Sequence, residues 1–418
     1  MLKGLRATFE ALQNRVFARL YLAQASNLLG DALVWVAIAL LAFELAEDRA
    51  AAVLGTALTM RVAAFVLLSP FAGALADRVN RKLLLVGALI ARMGALLLLS
   101  QVSEVWQLYL LMFVLNSLTA FFTPTYQATI PVVTGGGDDY RRAVSLSGAT
   151  FEMLGVLGPG LAGALGAWAG GRSLFWIAGA ALVLAALLVL SVRARLDGKA
   201  PDEDEEARPA WGLADLSVGT VRLWRDPLIR YGLLLDLAAS IAGAWILVNS
   251  VVLVKSGLGL GDLHYGWLMA AFGAGATLAA LAFGAVEGRV ARSTFMAVGC
   301  LLIGVSILPA NYLPLLGLYP LWLLAGLGSN WVNLPILTVL ADRTPTELHG
   351  RVFGAHFAWS HLWWLGAYPL AGWLGTRAVD SSFLLGGCLA LALFMVVWLI
   401  LGPSARRAEA AGSDSRPV

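Results

Sequence analysis

Four ionisable side chains, Asp31, Glu152, Asp236 and His361, interrupt otherwise apolar stretches of this chain. A carboxyl group taken out of water holds its proton more tightly, so Asp31, Glu152 and Asp236 have the chemistry to take up and release protons near neutrality as water access alternates. An imidazole can carry a proton too, and it also suits nickel, cobalt, copper and zinc as a ligand. His361 has a companion, His356, in the stretch HFAWSHLWWLGAYP. At about 100° per residue the two histidines lie roughly 140° apart around a helix, unlike the i, i+4 pair of HExxH that grips one zinc. His356 shares a stripe with Trp359, Ser360 and Trp363, whereas His361 shares one with Phe357, Trp364, Leu365 and Tyr368. Further ligands would have to come from other segments, from Asp236, Glu152 or the asparagines Asn249, Asn330 and Asn333. Asn330 and Asn333, three apart, share one face. Each group has a structural reading beside the chemical one: a carboxylate paired with a buried arginine such as Arg92, an amide tying two helices, a histidine packed in a helix interface.

The elements that position these groups follow from composition. Of 418 residues 59% are hydrophobic and only 13% charged, with mean hydropathy +0.79, whereas soluble domains carry roughly 25% charged residues. The apolar residues come in blocks of about 20, the length that crosses a hydrocarbon layer of about 30 Å as a helix. The expected fold class is therefore an all-α integral membrane protein with twelve transmembrane helices, at 18–45, 52–76, 83–103, 106–131, 142–168, 172–194, 228–255, 263–286, 293–311, 315–341, 350–376 and 381–402. An ionisable group at mid-bilayer costs at least about 2.5 kcal/mol, which makes each one a functional hypothesis. Counting about 1.5 Å per residue places Glu152 and His361 roughly 15 Å deep, Asp236 roughly 12 Å and Asp31 roughly 20 Å.

The spans fall into two bundles of six, 1–194 and 228–402, joined by a polar interval, 195–227, and followed by a tail, 403–418. The interval holds the acidic run PDEDEE and then a segment in which Leu213, Leu216, Thr220, Leu223 and Trp224 share a helical face, the pattern of a short helix lying on the membrane surface. Of the 29 Lys and Arg, 23 lie in the termini and even-numbered loops, four in the odd-numbered loops and two, Arg61 and Arg92, inside spans. That asymmetry puts both termini and the linker in the cytoplasm of a cell (inner) membrane protein. The N-terminus lacks the pattern of a signal peptide. The net charge of +3 is then a topology signal and gives no reason to expect nucleic-acid binding. Cys300 and Cys388 sit within spans and suggest neither a disulfide framework nor a metal site. No nucleotide-binding glycine loop, HExxH or GxSxG is found, so neither an enzyme nor a cofactor is expected.

The halves echo each other. GALADRVNRK, Gly73 to Lys82, closes span 2 and GAVEGRVARS closes span 8; residues 142–166 and 351–375, offset by 209, share 7 identities in 25. At that offset Glu152 pairs with His361. Duplicated halves suit transporters that rock two bundles around a midplane site, and GALADRVNRK in this position resembles the signature of the major facilitator superfamily. The resemblance covers nearly the whole chain. It implies that Asp77 sits against the N-terminus of span 11, near Arg351, while Arg78, Arg81 and Lys82 complete a charge-relay latch and Gly73 permits close approach. A carboxylate at a helix N-terminus gains about 0.3–1 kcal/mol when exposed and up to about 2 when partly buried.

AQASNLLGDALVWVAIALLAFEL in span 1 and FFTPTYQATIPVV in span 4 look like the bacterial exporters of macrolides, enterobactin and nickel. GPGLAG, Gly158 to Gly163, is similar to the Gly-Pro motif of proton-coupled antiporters, although span 4 has Asn116 and not their arginine motif. The resemblance implies a secondary active exporter, a monomer in the bilayer, that exchanges a small solute or ion for protons by alternating access. A transition-metal cation such as nickel or cobalt stands first as substrate. An amphipathic drug, macrolide or siderophore is the alternative, and flipping of lipids a third reading. Asp31, Glu152, Asp236, Asn249, Asn330, Asn333 and His361 are the candidates for the transport cavity and proton coupling, with His361 and His356 for metal.

Overall fold

A computed structural model describes residues 10–76, 79–135, 137–194, 196, 213–286, 289–345 and 348–413. Asp77, Arg78 and the acidic run 201–206 lie outside the described residues, as do the side chains of Gly73 and Glu152.

Each apolar block is a long helix. They are α1 (Arg15–Ala46), α2 (Ala50–Ala76), α3 (Arg81–Leu99), α4 (Val105–Thr134), α5 (Gly137–Ala169) and α6 (Ser173–Ser191) in the first half. The short linker helix is α7 (Leu213–Arg225). The second half has α8 (Pro227–Val252), α9 (Asp262–Val286), α10 (Arg292–Ile307), α11 (Leu315–Arg343), α12 (His349–Arg377) and α13 (Ser382–Ser413). The expected bounds hold to within a few residues except at two places. The fifth helix starts earlier, at Gly137, and the last continues past 402 to Ser413. Among the described residues nine stretches are long and apolar enough to cross a membrane, the first of which covers α1 and most of α2. α12 is not among them, because its histidines, tryptophans and glycines dilute the aliphatic content that marks the others.

Helix ends carry ordinary chemical signals. Asn80 accepts from the amide of Leu83 to start α3, and Asp226 accepts from the amides of Leu228 and Ile229, with Pro227 in the first turn, to start α8. Glu104 and Gln107 form a capping box on α4.

Contacts divide the chain into two units, residues 1–41 with 60–210 and residues 42–59 with 211–418. In the second unit the start of α2 meets the end of α12. A Cβ on Gly55 would lie 2.5 Å from the Tyr368 carbonyl oxygen, and one on Gly372 would lie 2.6 Å from that of Ala51. This reciprocal backbone contact requires glycine on both sides, the small-residue crossing that membrane helices use for dispersion contact.

The linker helix packs against α12 through the described part of its stripe. Leu223 is fully buried, the Trp359 indole donates to the Thr220 hydroxyl at 3.3 Å, and the Trp224 and Trp359 rings meet edge to face at 5.4 Å. Gly219 makes this possible, since any Cβ there would collide with the Arg351 carbonyl. The side chains of Leu213 and Leu216 lie outside the described residues, while Val218 and Val221 face outward, exposed. Polar bonds pin the same end of the unit. Arg343 bonds Asp226 at 3.1 Å and the Ala408 carbonyl, Arg222 donates to the Arg343 carbonyl at 2.9 Å, and Arg292 pairs with Asp342 at 2.7 Å.

Candidate functional site

In the first unit the polar residues of α1 recur at Gln24, Asn27 and Asp31, followed by Trp35, with spacings of three and four that set them on one face. Opposite faces of α1 are held close to their neighbours. Gly30 leaves room for the Ala178 carbonyl of α6, and Gly158, of the GPGLAG motif on α5, lies directly against the Ala32 methyl. The polar face receives Arg92 of α3, whose side chain is 2% exposed. Its guanidinium donates to the Asn27 side-chain oxygen and, as an ion pair, to Asp31, while the Asn27 amide reaches the other Asp31 oxygen at 3.5 Å. Asp31 keeps 32% of its side-chain surface, so it is the member of the triad that water or a solute can reach.

A buried arginine alone would cost several kcal/mol after relaxation, and it persists here because the carboxylate and the amide oxygen take two of its donors. The site is nonetheless incompletely satisfied, since the Arg92 Nε and the Gln24 Oε1 are buried with no hydrogen-bond partner. One turn further along, the Arg61 guanidinium stacks over Trp35 at 4.1 Å from the ring centre. The two arginines inside spans are thus both turned to the same face of α1.

The second unit has its own buried carboxylate. Asp236 on α8 is 2% exposed, with the Ser360 hydroxyl of α12 as hydrogen-bond partner, and its Oδ2 has none. Around it the α8–α12 interface is unusually polar: Ser240 Oγ on α8 and His356 Nε2 and Trp363 Nε1 on α12 are also buried without partners. The helices are brought together by Gly243, against which the Trp364 ring packs. Asp236 and Ser360 thus join α8 to α12, and Ser240 lies one turn further along α8.

The two histidines differ in burial. His356 is the buried one, 7% exposed, on the stripe with Ser360 and Trp363. His361 is half-buried, its Nδ1 2.8 Å from the Phe357 carbonyl oxygen of its own helix and its ring stacked on Phe357 at 3.8 Å. Among the described residues no three His, Cys, Asp or Glu side chains gather where they could hold a metal ion. Five residues apart on one helix, His356 and His361 point to different neighbours, as their angular separation leads one to expect.

Two of the three asparagines tie helices. Asn249 donates to the Ala371 carbonyl of α12 at 3.2 Å and presses on Gly375; Asn330 donates to the Ala276 carbonyl of α9 at 2.8 Å; Asn333 bonds back to Ser329 of its own helix at 3.0 Å. Of the motif after α2, Arg81 donates to the Ala128 carbonyl at 3.0 Å, and Lys82 to Leu190 and Val192 at 2.9 and 2.6 Å. Lys82 thus caps the C-terminal end of α6, where a cation complements the helix dipole. Arg351 contributes its carbonyl to the Gly219 contact. The sequence pattern placed Ser360 and Trp363 beside His356 but did not mark Gln24, Asn27 and Ser240 as members of these clusters. The three-and-four spacing from Gln24 to Asp31 was the available signal.

Residues 20–261 and 237–417 match the sequence model of the Major Facilitator Superfamily. The uncharacterized MFS-type transporter YfiS of Bacillus subtilis is 29% identical over 345 residues, covering 79% of this chain and 80% of that protein. The multidrug efflux pump Tap of Mycolicibacterium fortuitum is 28% identical over 295 residues, covering 68% and 69%. Among solved structures, the nucleoside transporter NupG superposes with a TM-score of 0.74 over 92% of this chain and 98% of its own, at 13% identity, a likeness of fold alone.

Proposed function

The chain belongs to the Major Facilitator Superfamily of multi-pass secondary transporters, and from that premise we propose that it exports amphipathic organic compounds in exchange for protons. The observation that carries this reading is the Asn27–Asp31–Arg92 triad: a carboxylate partly open to water, tied to an arginine that is closed to it. A proton arriving on Asp31 weakens the ion pair. A cationic solute arriving there competes with the proton and is released when the proton returns. Either event changes the bonding between α1 and α3, so occupancy of the carboxylate is linked to helix packing. Trp35, stacked by Arg61, offers an aromatic surface on the same helix face. Asp236, beside the Ser360 hydroxyl, is the second proton-accepting group.

Two observations favour the organic reading over the metal reading that stood first in the sequence. The described residues offer no metal ligand set, and Tap, by its name, is a multidrug efflux pump and a relative over two thirds of the chain. The excess of Lys and Arg in the termini and even loops supports cytoplasmic termini.

The test is efflux of ethidium from bacterial cells that lack their own drug pumps. Cells expressing the protein are expected to clear preloaded ethidium faster than control cells, and a protonophore is expected to abolish the difference. Equal clearance with and without the protein, for ethidium and a panel of hydrophobic cations, would overturn the organic substrate class. Clearance that survives the protonophore would overturn proton exchange.

A further inference from the structure

Between α10 and α13, in the second unit, runs a groove of about 480 Å³ lined by Ser293, Thr294, Val298, Leu301, Met395 and Trp398, with Arg406 at its mouth. It takes no part in the proposed transport chemistry. Its two ends differ in chemistry. Ser293 and Thr294 belong to the first turn of α10, and Arg406 lies near the end of α13, which runs the opposite way, so the hydroxyls and the guanidinium are level at the face of the unit that carries the linker helix. Deeper in, the wall is Val298, Leu301, Phe394 and Met395, and the outer surface of α13 beside it is apolar and exposed at Val396, Leu399 and Ile400. From Thr294 to Leu301 the groove descends about 10 Å, a third of a hydrocarbon layer of about 30 Å.

We propose that this groove holds one anionic phospholipid, its phosphate on Arg406 and the hydroxyls of Ser293 and Thr294 and an acyl chain along the apolar wall. Two features point to a ligand with a negative head and an apolar tail. Arg406 has no carboxylate partner among the described residues and is held above the Trp398 ring, 5.8 Å from its centre, where a tryptophan suits the headgroup level. Ser293 is 3% exposed, lines the groove, and its hydroxyl has no hydrogen-bond partner. The amides that begin α10 are not available to the phosphate, because Glu409 already accepts from those of Arg292 and Ser293 at 2.6 and 3.1 Å. That carboxylate is spent on the helix end, leaving the guanidinium as the charge that faces the groove. Juxtamembrane arginines favour anionic lipid, and a zwitterionic lipid of the same chain length would present the same tail with an added cation beside Arg406.

Native mass spectrometry of the full chain in detergent, titrated with phosphatidylglycerol or phosphatidylethanolamine of matched chains, tests this. The wild type is expected to retain one phosphatidylglycerol in preference to phosphatidylethanolamine. Arg406→Gln should remove the preference, and Leu301→Trp, filling the groove at a half-exposed position, should reduce retention of both lipids. Arg407→Gln, at the exposed neighbour outside the groove, should leave the preference unchanged, and inorganic phosphate alone should not displace the lipid. Equal retention of the two lipids by wild type, or a preference that survives Arg406→Gln, overturns the proposal. So does displacement by inorganic phosphate, which would mark a free-anion site, or a dimer broken by Leu301→Trp, which would make a second copy the occupant.

Discussion

Arg92→Met is expected to abolish proton-driven ethidium efflux and to destabilise the protein by about 3 kcal/mol, the lower end of the range for breaking a buried pair because Asp31 keeps a third of its surface. The substitution removes the donor to both Asn27 and Asp31 and leaves a carboxylate facing an apolar side chain. Two effects are joined in that loss, and a second variant separates them. Arg92→Met combined with Asp31→Leu removes both charges at nearly constant volume, and replacing a buried pair by packed apolar groups is often neutral or stabilising. The double variant should therefore unfold in detergent at a temperature close to that of the wild type and still fail to transport. Efflux by the double variant would mean that the triad only holds helices together. A double variant as unstable as the single one would mean that the ion pair stabilises the fold outright.

The second large effect runs in the opposite sense. Asp236→Leu is expected to raise the thermal unfolding midpoint while abolishing efflux. Asp236 is almost wholly buried, and one of its oxygens has no partner; an unsatisfied buried polar group costs about 1–3 kcal/mol. Removing it frees Ser360, whose hydroxyl can bond back to a carbonyl of its own helix, as several other in-span hydroxyls do. A carboxyl group retained at a cost in stability is what a proton-binding site requires. A fall in the unfolding midpoint would show that Asp236 is a structural tie between α8 and α12, and efflux at the wild-type rate would remove it from the coupling machinery.

The helices were legible because hydrophobic blocks of spanning length leave the chain few alternatives: in lipid, backbone groups must bond within the segment. The same periodicity marked Asp31 and Asp236 as misplaced charges, and buried Arg92 as a possible partner. What sequence could not give was which neighbour each group meets. Asn249 and Asn330 have the composition of cavity residues, yet they reach carbonyls on α12 and α9, because bundle geometry, not spacing along one helix, decides the facing partner. The histidines illustrate this from the other side. Their angular separation was readable and rules against a shared ion, but that His356 is the buried member depends on its place against the rest of the bundle. The linker helix was recognisable from its stripe, while its occupant, α12, depended on the backbone approach at Gly219. Asp77, the centre of the expected latch, lies outside the described residues.

Proton release from purified protein is the most direct measurement of the coupling assigned to Asp31. Adding ethidium to weakly buffered, detergent-solubilised protein that has first been acidified, so that a proton replaces Arg92 as the partner of Asp31, is expected to release protons from the wild type, as read by a pH indicator. Asp31→Asn should bind the dye, as followed by its fluorescence, and release markedly fewer. Dye binding without proton release by the wild type, or release undiminished in Asp31→Asn, would contradict the exchange of solute for proton at this carboxylate.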